Sequence, residues 1–234
     1  MSHLLHAIAI DGPAASGKSA LAELLAARLN YFYLDTGLMY RAVTHAALAR
    51  GMALQDETAV TRLAETIQIN VLPGAASAAR NYVTTVDGRD VSAELHRPEV
   101  DRNVSAVSAY AGVRRAMTAQ QQRIAERGNI IMAGRDIGTV VLPDAECKIF
   151  LTASVEARAR RRLADRRARG QSATLEQMRA EIEQRDALDS SRSVAPLRAA
   201  EDAIVLDNSA MTLEETLTRA LEIIQARASV RIIA

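Results

Sequence analysis

Cysteine is nearly absent from this chain and tryptophan is absent altogether, and the shortage of cysteine excludes one class of fold. The 234 residues include one cysteine, Cys147, and no tryptophan. A single thiol cannot form an internal disulfide, so a small secreted fold held by disulfides is excluded. Because Cys147 opens an apolar run over residues 147–151, we expect a buried and unreactive thiol.

Long apolar runs and metal-ligand clusters are also missing. No run of about 18 apolar residues occurs, which is the length that a membrane-spanning helix needs. The N-terminal residues do not show a charged segment followed by a long apolar stretch, so no secretory signal is predicted. We therefore expect a cytoplasmic protein without a membrane partner. The four histidines (His3, His6, His45 and His96) lack zinc-ligand spacing, so no structural zinc site is predicted.

The chain has no large excess of either charge. It carries 29 basic and 28 acidic residues, a formal net charge of +1. A nearly neutral chain has no global electrostatic reason to bind nucleic acid. Only Lys18 and Lys148 are lysines, and all the other basic residues are arginines.

Short apolar segments alternate with helical patterns along most of the chain. This alternation is typical of a parallel sheet covered by helices, so the predicted class is α/β. A different pattern appears near residues 67–95, where strand-forming residues and the turn signal Asp87-Gly88 predict a small antiparallel β insert. The five strands predicted for the parallel sheet lie near residues 6–10, 31–34, 130–133, 147–151 and 203–206.

A glycine-rich loop follows the first predicted strand. Residues 12–19 (GPAASGKS) match the pattern GxxxxGK[ST] at every fixed position, with a strand before and a helix after. Backbone N–H groups and the helix N-terminus of such a loop surround a phosphate. Lys18 is expected to reach the β- and γ-phosphates, and the Ser19 hydroxyl to ligate Mg²⁺ as the metal cofactor of ATP. The residues predicted to bind ATP are Gly12, Pro13, Ala14, Ala15, Ser16, Gly17, Lys18, Ser19 and Ala20.

Other motifs decide which class of phosphate-loop protein this is. Neither lysine stands in the Asn-Lys-x-Asp motif of regulatory GTPases, and the Leu-Ser-Gly-Gly-Gln motif of transporter ATPases is absent. A phosphotransferase with a second substrate is the remaining interpretation. Several arginines follow predicted strands, where open α/β sheets bind their ligands. Arg41 follows the second strand and Arg135 the third, whereas Arg185 and Arg192 lie on or after a later helix.

These motifs together resemble those of bacterial cytidylate kinases, which phosphorylate CMP or dCMP with ATP. The resemblance implies a three-layer P-loop NTPase fold with a five-stranded parallel sheet, a helical lid and the small β insert. It divides the single domain into a core (about 1–36, 127–155 and 190–234), a monophosphate-binding region (about 37–126) and a lid (about 156–189). The matching stretches are IDGP at 10–13, LDTG at 34–37 with YR at 40–41, GRDIGTVV at 134–141, DA at 144–145 with KIFL at 148–151, and RD at 185–186 with RSVAP at 192–196.

The resemblance also implies which residues bind CMP. Thr36 and Arg41 would hold its phosphate, with Arg135 beside them; family members commonly have serine where Thr36 stands, and threonine keeps the hydroxyl. Arg185 and Asp189 would contact the sugar. The residues that would read the cytosine are Ser105, Arg114, Asp136 and Arg192.

Asp136 gives a chemical reason for choosing cytosine. The cytosine 4-amino group donates hydrogen bonds that an aspartate accepts. Uracil has a carbonyl there, so two acceptors would face each other and UMP would be disfavoured.

The arginine-rich segment around Arg158 and Arg162 resembles the lid of the same family. With Lys18 and Arg135, these two arginines are the predicted catalytic residues; Arg166, Arg167 and Arg169 belong to the same segment. We expect a monomer whose partners are ATP and CMP or dCMP, without nucleic acid. Two alternatives stay open: another small-molecule kinase, of the UMP or shikimate type, and a nucleotide-binding module associated with RNA.

Overall fold

The computed structural model describes residues 5–73, 82–168, 170–192 and 194–230. Two short helical turns accompany the regular elements, a 3₁₀ turn at Glu94–His96 and a π-type turn at Ile137–Val141. The strands are β1 Ala7–Asp11, β2 Phe32–Asp35, β3 Ile69–Pro73, β4 Tyr82–Val86, β5 Arg89–Asp90, β6 Ile130–Gly134, β7 Cys147–Thr152 and β8 Ile204–Asp207. The helices are α1 Lys18–Leu29, α2 Thr36–Ala49, α3 Glu57–Thr66, α4 Pro98–Val107, α5 Ala111–Ala125, α6 Val155–Ala168, α7 Leu175–Ser190 and α8 Leu213–Val230.

Contacts divide the chain into two compact units. The first unit consists of the chain up to Tyr33 and from Gly128 onward, and the second of Leu34–Arg127. The division of the chain into core, monophosphate-binding region and lid stays a prediction.

The larger sheet confirms the predicted five parallel strands. Its order is β2-β6-β1-β7-β8. The central strand β1 is buried along its whole length and pairs in parallel with β6 and β7. Such burial on both faces explains why these strands read as continuous apolar runs. β1 extends one residue further than expected, to Asp11, and this charged residue is buried as well.

Side-chain caps fix the starts of α7 and α8. The Thr174 hydroxyl accepts from the Gln177 N–H while the Gln177 side chain accepts from the Thr174 N–H, so the two residues form a capping box at the start of α7. Thr212 and Glu215 form a second capping box before α8. In the described residues, no helix is both long enough and apolar enough to cross a membrane.

The second unit contains the predicted antiparallel insert. Its three strands lie in the order β3-β4-β5. Asp87 and Gly88 join β4 to β5 with φ angles of +51° and +82°, the conformation that a tight hairpin turn requires. The Asp87 carboxylate also accepts from the Gln68 N–H at 2.9 Å, which ties the turn to the start of β3. Residues 74–81 of the expected insert lie outside the described part of the chain.

Cys147 is fully buried at the start of β7, as expected. Burial raises the pKa of its thiol to about 12, so the thiol stays protonated at neutral pH. Because the thiolate is the reactive form, we expect no labelling of the native protein by a thiol reagent at pH 8 and complete labelling in denaturant. The experiment is unambiguous because the chain has no other thiol. Rapid stoichiometric labelling of the native protein would contradict it.

Candidate active site

The loop between β1 and α1 has the geometry of a phosphate loop. Gly12 and Gly17 have φ angles of +147° and +93°, which side-chain-bearing residues rarely adopt. A Cβ on Gly12 would lie 2.0 Å from the Leu151 carbonyl oxygen, so only glycine fits beside β7. Gly17 is the N-cap of α1, so the loop leads directly into the helix N-terminus.

Lys18 folds back over this loop. Its ammonium donates to the Pro13 carbonyl oxygen at 2.7 Å and lies 3.4 Å from the Ser16 hydroxyl. Ser19 and Ala20 follow on the exposed side of the first turn of α1. The positive charge of Lys18 is therefore held at the loop, where the predicted role in phosphate binding needs it.

Three side chains, from α6 and from the residue after β8, donate hydrogen bonds to backbone carbonyl oxygens of the loop. The Arg158 guanidinium of α6 donates to the Ala14 carbonyl oxygen at 3.2 Å, and that of Arg161 to the Ser16 carbonyl oxygen at 3.2 Å. The buried side chain of Asn208, just after β8, donates to the same Ser16 oxygen at 3.1 Å and accepts from Arg161 at 3.0 Å. Arg161 belongs to the arginine-rich segment predicted to form the lid but was not among the predicted site residues, and Asn208 belongs to none of the motifs that pointed to the site.

Of the two arginines expected to act from α6, Arg158 is buried and Arg162 is partly exposed. Arg158 donates to the Ala153 carbonyl oxygen at 2.9 Å and forms an ion pair with Asp186 at 2.7 Å. Arg162 lies 3.4 Å from Glu181 of α7, and Arg166 shares that carboxylate. These ion pairs join α6 to α7, which also share a small apolar cluster. Of the other arginines expected in this segment, Arg167 is exposed and Arg169 lies outside the described residues.

A cluster of three arginines surrounds Asp189 near the end of α7. Arg135 donates from Nε to Asp189 at 2.8 Å, and Arg185 donates at 3.2 Å. Arg192 donates to the same carboxylate. Burial alone would raise the pKa of Asp189, but the three positive charges outweigh it and hold that pKa below its usual value. Four residues proposed from different motifs are thus brought together.

Asp136 follows Arg135 and is buried. Its carbonyl oxygen accepts from the Val140 and Val141 N–H groups, which closes the π-type turn after β6. The carboxylate of Asp11 receives the N–H groups of Ile137 and Gly138, both at 2.7 Å. Burial raises the pKa of Asp11 to about 6, although these two N–H groups oppose the shift. Asp11 was not among the predicted site residues, although a charged residue at the end of an otherwise apolar strand was a signal for it.

In the second unit, Thr36 and Arg41 lie on α2. Asp35 caps this helix by accepting from the Gly37 N–H at 2.9 Å, and Thr36 is buried in its first turn. The Arg41 guanidinium donates to the Leu95 carbonyl oxygen at 2.9 Å and forms an ion pair with Asp101. Arg41 is therefore held by a carbonyl and a carboxylate.

Arg114 and Ser105 belong to neighbouring helices of the same unit. Arg114 is buried on α5, stacks over the Tyr40 ring at 5.4 Å and donates to the Ser108 carbonyl oxygen at 3.0 Å. Ser105 lies partly exposed on α4, and its carbonyl oxygen accepts from the Ser108 hydroxyl. The Arg114 side chain is thus oriented by an aromatic face as well as by a hydrogen bond.

Comparison with known proteins identifies the family. The family model described as cytidylate kinase matches residues 8–226. The chain belongs to the cytidylate kinase family. A cytidylate kinase from Geobacillus sp. (strain WCH70) is 47% identical over 220 residues, covering 94% of this chain and 96% of the relative. One from Limosilactobacillus reuteri is 48% identical over 219 residues, covering 93% and 94%.

Solved structures support the fold of this cytidylate kinase family member. A shikimate kinase from Bacteroides thetaiotaomicron gives a TM-score of 0.50 at 14% identity, covering 94% of this chain and 99% of that one. An uncharacterized protein from Eubacterium ventriosum gives 0.52 at 10% identity, covering 94% and 99%. Likenesses at such low identity concern the fold alone. The predicted three-layer P-loop fold is confirmed.

Proposed function

We propose that this chain transfers the γ-phosphoryl group of ATP to CMP or dCMP, giving ADP and CDP or dCDP. The observation that carries the proposal is a complete GxxxxGKS loop, with Lys18 held against it, in a chain of the cytidylate kinase family. We further propose that it acts as a monomer in the cytoplasm. Each residue role below is part of this proposal.

The acceptor roles follow the chemistry of CMP. Thr36 and Arg41 hold its phosphate together with Arg135, because a guanidinium meets phosphate oxygens through two parallel N–H groups. Arg185 and Asp189 contact the sugar. Since Asp189 already accepts from three guanidiniums, its further part is to hold them at fixed positions. The cytosine is read by Ser105, Arg114, Asp136 and Arg192.

Phosphoryl transfer to a nucleoside monophosphate needs no general base, because the attacking phosphate oxygen is already ionised near neutral pH. Catalysis then consists of alignment and charge neutralisation. Lys18 and Arg135 are already placed by their own hydrogen bonds at the phosphate loop. Arg158 and Arg162 add positive charge from α6, and each must exchange a present carboxylate partner for phosphate to do so.

The donor set at the loop fits Mg²⁺ carried by ATP. Within the described residues, no group of three or more His, Cys, Asp or Glu side chains is placed to hold a metal ion by itself. Mg²⁺ in kinases is held mainly by substrate phosphates and water, with one or two protein ligands, and the Ser19 hydroxyl supplies such a ligand. When bound, the ion neutralises charge on the β- and γ-phosphate oxygens.

Acceptor profiling of the wild type and of Asp136→Asn tests the proposal. We expect diphosphate formation from ATP–Mg²⁺ with CMP and dCMP, and far less with UMP, AMP, GMP or shikimate. In Asp136→Asn, an amide can pair with the uracil carbonyl, so the CMP/UMP ratio of kcat/KM should fall by roughly 10- to 100-fold while the KM for ATP changes little.

Asp165→Asn changes an exposed aspartate of α6 and should leave the acceptor ratio unchanged. An unchanged ratio in Asp136→Asn would remove Asp136 from base reading. Turnover with UMP or shikimate instead of CMP would favour the other kinase types. RNA binding with a steep salt dependence and no kinase activity would favour the RNA-associated module.

A further inference from the structure

The buried carboxylate of Asp11 joins the start of the phosphate loop to the π-type turn at Ile137–Val141, which directly follows Arg135 and Asp136. We propose that Asp11 is a positioning residue for CMP recognition: by fixing the turn at Ile137–Val141, it fixes the direction of Asp136 and Arg135. The inference rests on the proposed function, because it takes those two residues to contact CMP.

The geometry is that of a clamp. Each of the two oxygens of Asp11 accepts one backbone N–H, from Ile137 and from Gly138, and both distances are 2.7 Å. Two bonds from consecutive peptides to one carboxylate set the orientation of the turn as well as its position. Asp136 immediately precedes the first of these N–H groups, so its side chain depends directly on the clamp.

Close packing leaves the turn little freedom to shift. A Cβ on Gly138 would lie 3.1 Å from Cδ of Lys148 and 3.4 Å from an Asp11 oxygen. Asp11, Ile137 and Gly138 are all buried. Water cannot readily replace a hydrogen bond that is lost at this buried position. A buried N–H without an acceptor costs free energy, so the turn would shift towards another arrangement.

The phosphate loop itself does not depend on Asp11 alone. Lys18 binds the Pro13 carbonyl oxygen, Arg158 that of Ala14, and Asn208 that of Ser16. Arg135, which precedes the turn, is held by a different hydrogen bond: its guanidinium donates to the Gly12 carbonyl oxygen at 3.0 Å. Loss of the Asp11 charge should therefore disturb the turn, and with it CMP recognition, more than ATP binding.

Keeping a charge at this position is costly for the fold. Burial raises the pKa of Asp11 to about 6, with Asp136 acting in the same direction and Lys18 in the opposite one. The Arg135 guanidinium donates to the carbonyl oxygen of Gly12, the residue that follows Asp11. The aliphatic part of the Lys148 side chain, on β7, packs against Gly138. Stability of the fold alone would not favour a carboxylate at this buried position. A binding site that needs two strong hydrogen-bond acceptors for its turn does favour one.

Asp11→Asn is the direct test, since it keeps the shape and supplies one acceptor instead of two. We expect the KM for CMP to rise at least 10-fold and the CMP/UMP ratio of kcat/KM to fall at least 5-fold. The Kd for ATP, measured without CMP, should change less than 3-fold. Asp56→Asn is the matched control, because Asp56 also accepts a backbone N–H, that of Ala59, but at an exposed helix cap; its CMP parameters should not change.

The pH profile gives a second readout. Below about pH 6 the wild-type carboxylate takes up a proton and loses one acceptor, so the wild type should come to resemble Asp11→Asn. The CMP phosphate titrates in the same range, but its effect cancels in the ratio of wild-type to variant kcat/KM. We expect this ratio to fall towards 1 between pH 7 and pH 5.

Amide hydrogen exchange tests the two hydrogen bonds to Asp11 independently of kinase activity. Whichever of the Ile137 and Gly138 amides loses its acceptor in Asp11→Asn should exchange at least 10-fold faster than in the wild type, even if the wild type phosphorylates a different acceptor. Unchanged exchange, or equal loss of ATP and CMP affinity, would overturn the inference. If Asp11→Asn does not fold, Gly138→Ala crowds the turn against Lys148 while Asp11 stays intact; an unaltered CMP/UMP ratio in that variant would also overturn the inference.

Discussion

Lys18→Ala is expected to lower kcat by roughly 10³-fold or more, because the variant loses the positive charge that the phosphate loop holds over the transferring group. In the structure, the Lys18 ammonium is fixed by the Pro13 carbonyl oxygen, so the charge is already in place before the reaction. A group that is fixed in advance stabilises developing charge without reorganisation, and a water molecule cannot replace it. Steady-state assays with CMP and saturating ATP–Mg²⁺ measure the effect.

The chain's other lysine provides the matched control. Lys148 is also buried, but its ammonium binds the Pro143 carbonyl oxygen and Asp202. Lys148→Met should reduce the free energy of unfolding and leave kcat within a few-fold of the wild type. Nearly normal turnover in Lys18→Ala, with Lys148→Met active, would refute the phosphate-loop assignment. Lys18→Arg keeps the positive charge but changes the shape of the side chain, and we expect its kcat to stay far below that of the wild type.

Asp189→Asn is expected to lower the free energy of unfolding by about 3 kcal/mol, since it leaves three arginines without their shared carboxylate. The Asp189 side chain is fully buried, whereas Arg135 and Arg185 are 22% and 28% exposed, so water relieves part of the cost. For a chain of this length, the loss corresponds to a decrease in Tm of roughly 6–12 °C. The KM for CMP should rise as well, because Arg135, Arg185 and Arg192 lose their common anchor.

Differential scanning calorimetry over a range of pH tests the cause of this decrease. The three arginines hold the pKa of Asp189 below its usual value against the opposing effect of burial. The stabilisation by the charged carboxylate is therefore complete above the unfolded-state pKa of about 4 and is lost as the pH falls through the lower folded-state pKa. The Tm difference between wild type and variant should be constant near pH 7 and shrink only in strong acid.

Glu222→Gln is the control for this variant. Glu222 pairs with Arg219 on the exposed face of α8, where both side chains are more than half exposed. Removal of such a surface ion pair should change Tm by no more than about 2 °C. A Tm of Asp189→Asn that equals the wild-type value would show that the arginine cluster contributes nothing to stability.

Local signals were sufficient to predict much of this fold. The capping boxes at Thr174 and Thr212 depend on residues only three positions apart, and the turn at Asp87-Gly88 on two adjacent residues. The inner strands β1, β6 and β7 were predictable because burial on both faces requires continuous apolar runs. The phosphate loop was predictable because its glycines and lysine are spaced along one short segment.

The contacts that hold the site together could not be predicted in the same way. Arg161 meets Asn208, which lies 47 positions later, and Arg135 meets Asp189 54 positions later. Helix and strand patterns reveal which face is apolar, but not which arginine of a polar face meets which distant carbonyl or carboxylate. The π-type turn at Ile137–Val141 was missed for a related reason, since the distant Asp11 carboxylate accepts two of its N–H groups.

The parallel order of the larger sheet determines how this protein can form during its synthesis. The central strand β1 pairs with β6 and β7, whose first pairing partners are Ile130 and Cys147. At about 5–20 residues per second, β1 leaves the ribosome roughly 6–25 seconds before its first neighbour is made. Throughout that interval an apolar strand stays without its sheet, while the contiguous unit Leu34–Arg127 is completed. Among the strands of the larger sheet, β1 therefore waits longest for a pairing partner, and its apolar residues stay open to association with other chains during that interval.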